Sequence, residues 1–218
     1  MRSIASTSTY RKLITLAALT VASLSMAAQS AAAQADTIHF KLHVNPKFAA
    51  CLGKDGLTPT ANVTVTRGNL KDTLVLKAKN LKPGLAFDMF TVQRSNLLSD
   101  GTPDPAFTNF GFAWYQSDVH ANSDGDAQAT IKTILLDQIF GFDPDLSNPN
   151  PVNTFHVGFW FNNPNDANVD GCVFDVTHPT PFNGEHKAGP VAMISVPRVK
   201  TGLGPLCTNP DGNGGCNP

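Results

Sequence analysis

The stretch TLVLKAKNLKPGLAFDMFTVQ, residues 73–93, decides the fold. Leu74, Leu76 and Ala78 alternate with Val75, Lys77 and Lys79, and the alternation resumes after Lys82-Pro83-Gly84 through Leu85, Phe87 and Met89. Side chains that alternate in this way line the two faces of a strand. A helix through Pro83-Gly84 would lose a backbone hydrogen bond and carry the two poorest helix formers. The stretch reads as two strands meeting at a turn. Phe90 and Val92 fall in the opposite phase, which predicts a bulge or burial on both faces.

The same period runs outward along the chain. In TIHFKLHV, residues 37–44, Ile38, Phe40, Leu42 and Val44 share one face, and Thr37, His39, Lys41 and His43 share the other. Further strands are expected at 61–67, 110–116, 128–136, 155–162, 172–177 and 190–197. A short helix is the competing reading for the end of TIKTILLDQIF, residues 130–140. Of the 17 acidic residues only Glu185 is a glutamate; Glu favours helices, whereas Asp favours caps and turns. The 17 Gly and 16 Pro punctuate the chain with further turn signals. The expected fold is all-β: an antiparallel β-sandwich, Greek-key or immunoglobulin-like, of about nine strands.

The N-terminus has the three parts of a secretory signal peptide. Arg2, Arg11 and Lys12 precede a mainly apolar run over 13–26, too short for the ~20 residues that span a bilayer. Ala33-Gln34-Ala35 supplies a small-x-small cleavage pattern before Asp36, with cleavage after Ala33 as the alternative. The organisation that follows is a signal peptide over 1–35, a β-sandwich domain over 36–200 and a Gly/Asn-rich C-terminal tail over 201–218, in a protein that is secreted or periplasmic. Removing the signal takes away three basic residues and no acid. That leaves 13 basic against 17 acidic side chains, a net charge of −4. Mild acidity of this kind speaks against nucleic acid as a partner, and no later apolar run provides stable membrane insertion.

Cys51, Cys172, Cys207 and Cys216 are an even count, which in an exported chain reads as two disulfides. Cys207 and Cys216 flank the flexible TNPDGNGG. The favoured pairing is therefore Cys207–Cys216 with Cys51–Cys172, two other connectivities standing against it. A zinc site lacks its Cys-x-x-Cys spacing.

The chemistry-bearing residues each have a plain structural reading beside the functional one. His39 and His43 lie roughly 13 Å apart along a strand, too far to share an ion. His178 and His186, with Glu185, His120 or Asp118, could gather a cation only through a loop. No Gly-x-Ser-x-Gly elbow is present. Paired carboxylates for a glycosidase could come from Asp118, Asp124, Asp126, Asp143 and Asp145, residues that equally suit turns. In FGFAWYQ, where Phe110, Phe112 and Trp114 share one face, and in FHVGFWF most aromatics are expected to fill the core. Tyr115 and Trp160, out of phase with their neighbours, are the candidates for an exposed ligand-binding platform.

The sharpest motif is Asp166-x-Asn168-x-Asp170-Gly171, the first half of a calcium loop. Thr177 stands where a bidentate Glu would complete it, so Ca²⁺ bound by Asp166, Asn168 and Asp170 competes with an Asx-rich turn. NSDGD, residues 122–126, is a weaker second candidate, read first as a hairpin turn. Together these features favour a secreted, non-catalytic β-sandwich module with a structural or ligand-binding role, its partner a glycan or another extracellular protein. The alternatives are a calcium-dependent carbohydrate-binding domain and an Asp-based secreted hydrolase.

Overall fold

The computed structural model describes residues 37–137, 140–142, 151–153, 155–163 and 189–217, and residues Ala35–Pro218 form one compact unit. The described strands are β1 (Thr37–Val44), β2 (Thr60–Thr66), β3 (Asp72–Lys79), β4 (Ala86–Val92), β5 (Ala113–His120), β6 (Ala127–Thr133), β7 (Phe140–Phe142), β8 (Pro151–Asn153), β9 (His156–Phe161) and β10 (Val191–Ile194). All of their pairings are antiparallel. The expected all-β, antiparallel class therefore holds. Eight strands form one nearly closed sheet in the order β5-β4-β9-β10-β1-β2-β3-β6, and β7 with β8 makes a separate ribbon.

Strand β1 is the fold line of that sheet. Its first six residues pair with β2, from Thr37 opposite Thr66 to Leu42 opposite Ala61. Its last two, His43 and Val44, pair with β10 instead. Asn45 secures the change of partner: its N–H donates to the carbonyl of Ala192 at 2.9 Å and its side-chain amide to that of Val191 at 3.1 Å.

The two strands of the 73–93 stretch both form, but they are not partners. Strand β3 lies between β2 and β6, and β4 lies between β5 and β9. The linker crosses from one half of the sheet to the other because its backbone groups are taken by other segments. Leu81 N–H donates to Gly125 O, Lys82 N–H to Leu52 O and Gly84 N–H to Ala121 O, each at 3.0 Å. Pro83 followed by Gly84 at φ 83° is the pairing a type II turn requires. Opposite this linker, NSDGD is a turn but not the hairpin expected of it. Asn122 Oδ1 accepts the N–H groups of Asp124 and Asp126, and the turn joins β5 to β6, the two outermost strands of the sheet.

A continuous core fills the space inside the sheet, drawing on both halves: Val63, Leu74 and Leu76 from one, Phe87, Met89, Phe159 and Phe161 from the other. Phe87 stacks at 4.7 Å on Phe159 and 5.3 Å on Phe161, and Phe48, from the 3₁₀ turn Pro46–Phe48, meets Phe161 edge-on at 5.6 Å. A second apolar cluster sits on the opposite face of β4, β9 and β10. There Phe90, Val92, Trp160, Val191 and Ile194 are covered by Leu97 and Phe110 from the segment linking β4 to β5. Strands β9 and β10 are consequently buried along their whole length. Both readings of the Phe90/Val92 phase change are realised, since β4 is buried on both faces and the β4–β5 register slips between Met89 and Phe90. The described residues after β6 form no helix up to Asp137: the chain leaves the strand at Thr133 and Asp137 adopts φ 61°.

Candidate functional site

Strand β5 carries large aromatic side chains into solvent. Trp114 is 55% exposed and Tyr115 47%, although residues adjacent on a strand point to opposite faces. Among the described residues the strand ladders with β4 alone, at the end of the sheet order, and both of its faces are open at these two positions. Trp114 lies opposite Thr91, and its ring meets Phe112 at 6.1 Å, two residues back on the same face. Tyr115 lies opposite Phe90 and meets its ring edge-on at 5.7 Å.

The register slip gives Tyr115 its polar partner. Gln116 is the extra residue, so that Tyr115 faces Phe90 while Ser117 faces Met89 and Asp118 faces Asp88. Without it Tyr115 and Asp118, three apart, would point to opposite faces. With it the Tyr115 hydroxyl donates to Asp118 Oδ1 at 2.8 Å. Gln116 turns back instead, its amide donating to Thr91 Oγ1 at 3.1 Å.

The approach to β5 is fixed just as closely. Gly111 has φ 68°, and a Cβ there would lie 2.1 Å from the Gln93 carboxamide oxygen. Only glycine lets that side chain close over the turn and accept the N–H of Phe112 at 3.3 Å. Asn109 Oδ1 accepts both the Gly111 N–H at 2.9 Å and the Arg94 guanidinium at 2.7 Å. The edge is thus a held aromatic strip with amide, guanidinium and carboxylate groups beside it.

Trp160 corrects the other half of the sequence expectation. It is 0% exposed, packed edge-on against Phe90 at 5.3 Å and Phe110 at 5.1 Å. Its phase indeed places it opposite Phe159 and Phe161, but the far face of β9 is covered by the second cluster. The exposed tryptophan is Trp114, which phase with Phe110 and Phe112 had assigned to the core.

Two polar constellations lie elsewhere. His156 is buried, and its Nδ1 donates to the Ser195 carbonyl at 3.0 Å, which fixes the proton on that nitrogen. Burial is the main influence on the ring and pulls its pKa down to about 4, against the smaller opposing effect of the Ser195 hydrogen bond. Ser195 Oγ lies 3.1 Å from the same nitrogen and accepts the Val157 N–H. With Ser195 1% exposed, no substrate reaches this pair, and the neutral imidazole acts as a strut between β9 and the end of β10.

Asp137 holds the C-terminal loop. Its carboxylate accepts the Arg67 guanidinium and the Thr208 hydroxyl at 2.5 Å each, together with the N–H groups of Thr208 and Asn209. Burial pushes this carboxyl up, but the Thr208 hydroxyl, Arg67 and the backbone donors outweigh it and hold it below the usual carboxylate range. Cys216 Sγ lies 3.1 Å from Asp137 Oδ1. Both sulfurs beside Asp137 belong to the Cys207–Cys216 disulfide, so neither is a thiolate that could ligate a metal with it. That pairing is the one the sequence favoured. Cys51 is also disulfide-bonded, and its partner lies outside the described residues.

The remaining candidates are scattered. His39 hydrogen-bonds Thr64 across the strands at 2.9 Å, and Asp124 and Asp126 belong to the turn described above. Asp143, Asp145, Asp166, Asn168, Asp170, Cys172, His178, Glu185 and His186 lie outside the described residues, and with them the calcium loop and the proposed Cys51–Cys172 bond. Comparison with family models, with curated proteins and with solved structures finds no match to this chain.

Proposed function

We propose that this chain is an exported, non-catalytic β-module that holds a neutral carbohydrate against the aromatic edge of β5. The observation that carries the reading is the pair Trp114 and Tyr115, large aromatics exposed on a strand whose approach and register are both specifically fixed. The C–H face of a pyranose ring stacks on an aromatic face, while hydroxyls at the ring edge accept hydrogen bonds from Arg94 and Gln116 and donate one to the Asp118 carboxylate. Aromatic side chains lose little conformational freedom on binding, which suits them to this role. Export rests on the N-terminal signal and on the disulfides.

Fluorescence titration tests the reading directly, because the chain has two tryptophans and Trp114 is the exposed one. Gluco-, xylo- and manno-oligosaccharides are added in turn. A saturable change in emission with at least one of them, absent in Trp114→Ala, is the expected result. No change with any of them, or a change that survives Trp114→Ala, overturns the assignment of the site. One geometric feature favours a second reading: Asp118 lies directly opposite Asp88 in the ladder, so a carboxylate pair shares one face. Release of reducing ends, abolished by Asp118→Asn, would replace binding by hydrolysis.

A further inference from the structure

The outer face of β1, β2, β3 and β6 is polar, open and, among the described residues, presents no acid of these strands. Its cross-strand rows are Lys41–Asn62–Lys77–Gln128, His39–Thr64–Val75–Thr130 and Thr37–Thr66–Thr73–Lys132. Every Asp or Glu of these four strands is accounted for by Asp72, which is buried and accepts the N–H groups of Gly68, Leu135 and Leu136. Lys79, at the margin of the face, pairs with Asp126 at 3.6 Å. Lys41, Lys77 and Lys132 make no ion pair among the described residues. Soluble surfaces ordinarily intersperse both signs, and this chain has more acids than bases, so its acids have been kept off this face.

From this we infer that the face is a docking surface for an acidic polysaccharide, a polymer of uronate sugars. Net charge does not oppose this, because at physiological salt charges are screened beyond about 8 Å and a ligand on the face senses the nearby lysines. Lys41 and Lys77 lie two strand spacings apart, roughly 10 Å, about the span of two sugar rings. Asn62 stands between them and Gln128 beyond, offering amides to hydroxyls while the ammonium groups meet carboxylates. Phosphate polymers are recognised chiefly by arginine forks, and these strands present none. Lipid surfaces are held by apolar side chains that insert beside the lysines, and the rows offer only Val75. The inference goes beyond the aromatic edge and does not rest on it.

The test uses the full exported chain on immobilised polygalacturonate, with neutral dextran as the control matrix. Wild type is expected to bind polygalacturonate, to release as salt rises and to ignore dextran. Lys41→Gln/Lys77→Gln should weaken binding roughly tenfold, a loss within the usual range for two exposed ion pairs. Lys47→Gln/Lys200→Gln, the same change in net charge elsewhere on the surface, should change it less than twofold. Equal losses in the two lysine pairs, or no binding by wild type, overturn the proposal. Binding to phosphatidylserine vesicles stronger than to polygalacturonate overturns it in favour of a membrane surface. Both lysine variants change exposed side chains only, and unchanged emission from buried Trp160 verifies that they fold.

Discussion

The two halves of the sheet are built to opposite specifications. In β4, β9 and β10 apolar side chains leave both faces and are covered on both, by the core within and by the 93–112 segment without. In β1, β2, β3 and β6 one face joins the core and the other is a lattice of Lys, Thr, Asn and Gln in solvent. One continuous sheet therefore contains an enclosed half that supplies rigidity and an open half that supplies surface. Both proposed binding regions lie where the covering stops, on the edge strand β5 and on the open face.

The sharpest contrast should come from matched substitutions in the two halves. Phe159→Ala, in the enclosed half, is expected to cost about 3–5 kcal/mol in urea denaturation. Val75→Thr, on the open face, should stay within about 0.5 kcal/mol. Comparable losses would break the distinction.

Acid probes the enclosed half from another side. His156 is neutral in the fold with a pKa of about 4, against the ordinary value near 6.5 that it regains on unfolding. Between those values the unfolded chain binds more protons, so stability is full above about pH 6.5 and falls as pH drops towards 4. The loss is about 3 kcal/mol at 1.4 kcal/mol per pH unit of difference. Melting curves across that range should show it in wild type and lose most of it in His156→Gln. Asp137 acts lower still: its carboxyl is held below the usual range, so its contribution disappears only as pH falls through that depressed value.

The open half depends more on its C-terminal clasp, since Arg67 follows β2 and Asp137 follows β6. Replacing Cys207 and Cys216 together by serine reopens a loop of sequence separation 9, which corresponds to roughly 2–3 kcal/mol. Hydrogen exchange should localise the loosening to β2 and β6 and leave β9 protected. The smallest effect on stability belongs to Trp114→Ala, within about 0.5 kcal/mol for an exposed site, and iodide quenching of emission should nearly vanish with it.

This contrast also explains what the sequence revealed. Strands β1, β2 and β3 announced themselves by period two because each has one wet face. In β9 the sequence HVGFWF is buried throughout, and a strand covered on both sides has no alternation from which to assign faces. Trp160 was misplaced for that reason, since its cover comes from residues more than forty positions away. Trp114 was misplaced in the converse way: period places it with core residues, but nothing in a local pattern says that β5 ends the sheet order. The turn at Pro83-Gly84 was legible from φ requirements, whereas the partners of the strands beside it were not. Asp137 had no local signal at all, because its donors come from β2's end and the C-terminus. The Cys207–Cys216 bond was legible because the short, flexible spacer between the cysteines limits the choice.

The split pairing of β1 has a consequence for how the chain must assemble. Its first six residues find their partner within the next thirty positions, but Asn45 and the last two residues wait for β10, with the Asn45–Val191 hydrogen bond spanning 146 positions. A chain released from its N-terminus can zip β1, β2 and β3 early, yet cannot pair β1 across the seam until β10 has emerged. High contact order of this kind makes folding slow, and throughout that delay the enclosed half presents its aromatic strands uncovered. The seam at His43–Val44 is thus the timing element of the molecule, holding the two halves apart until β10 has been made.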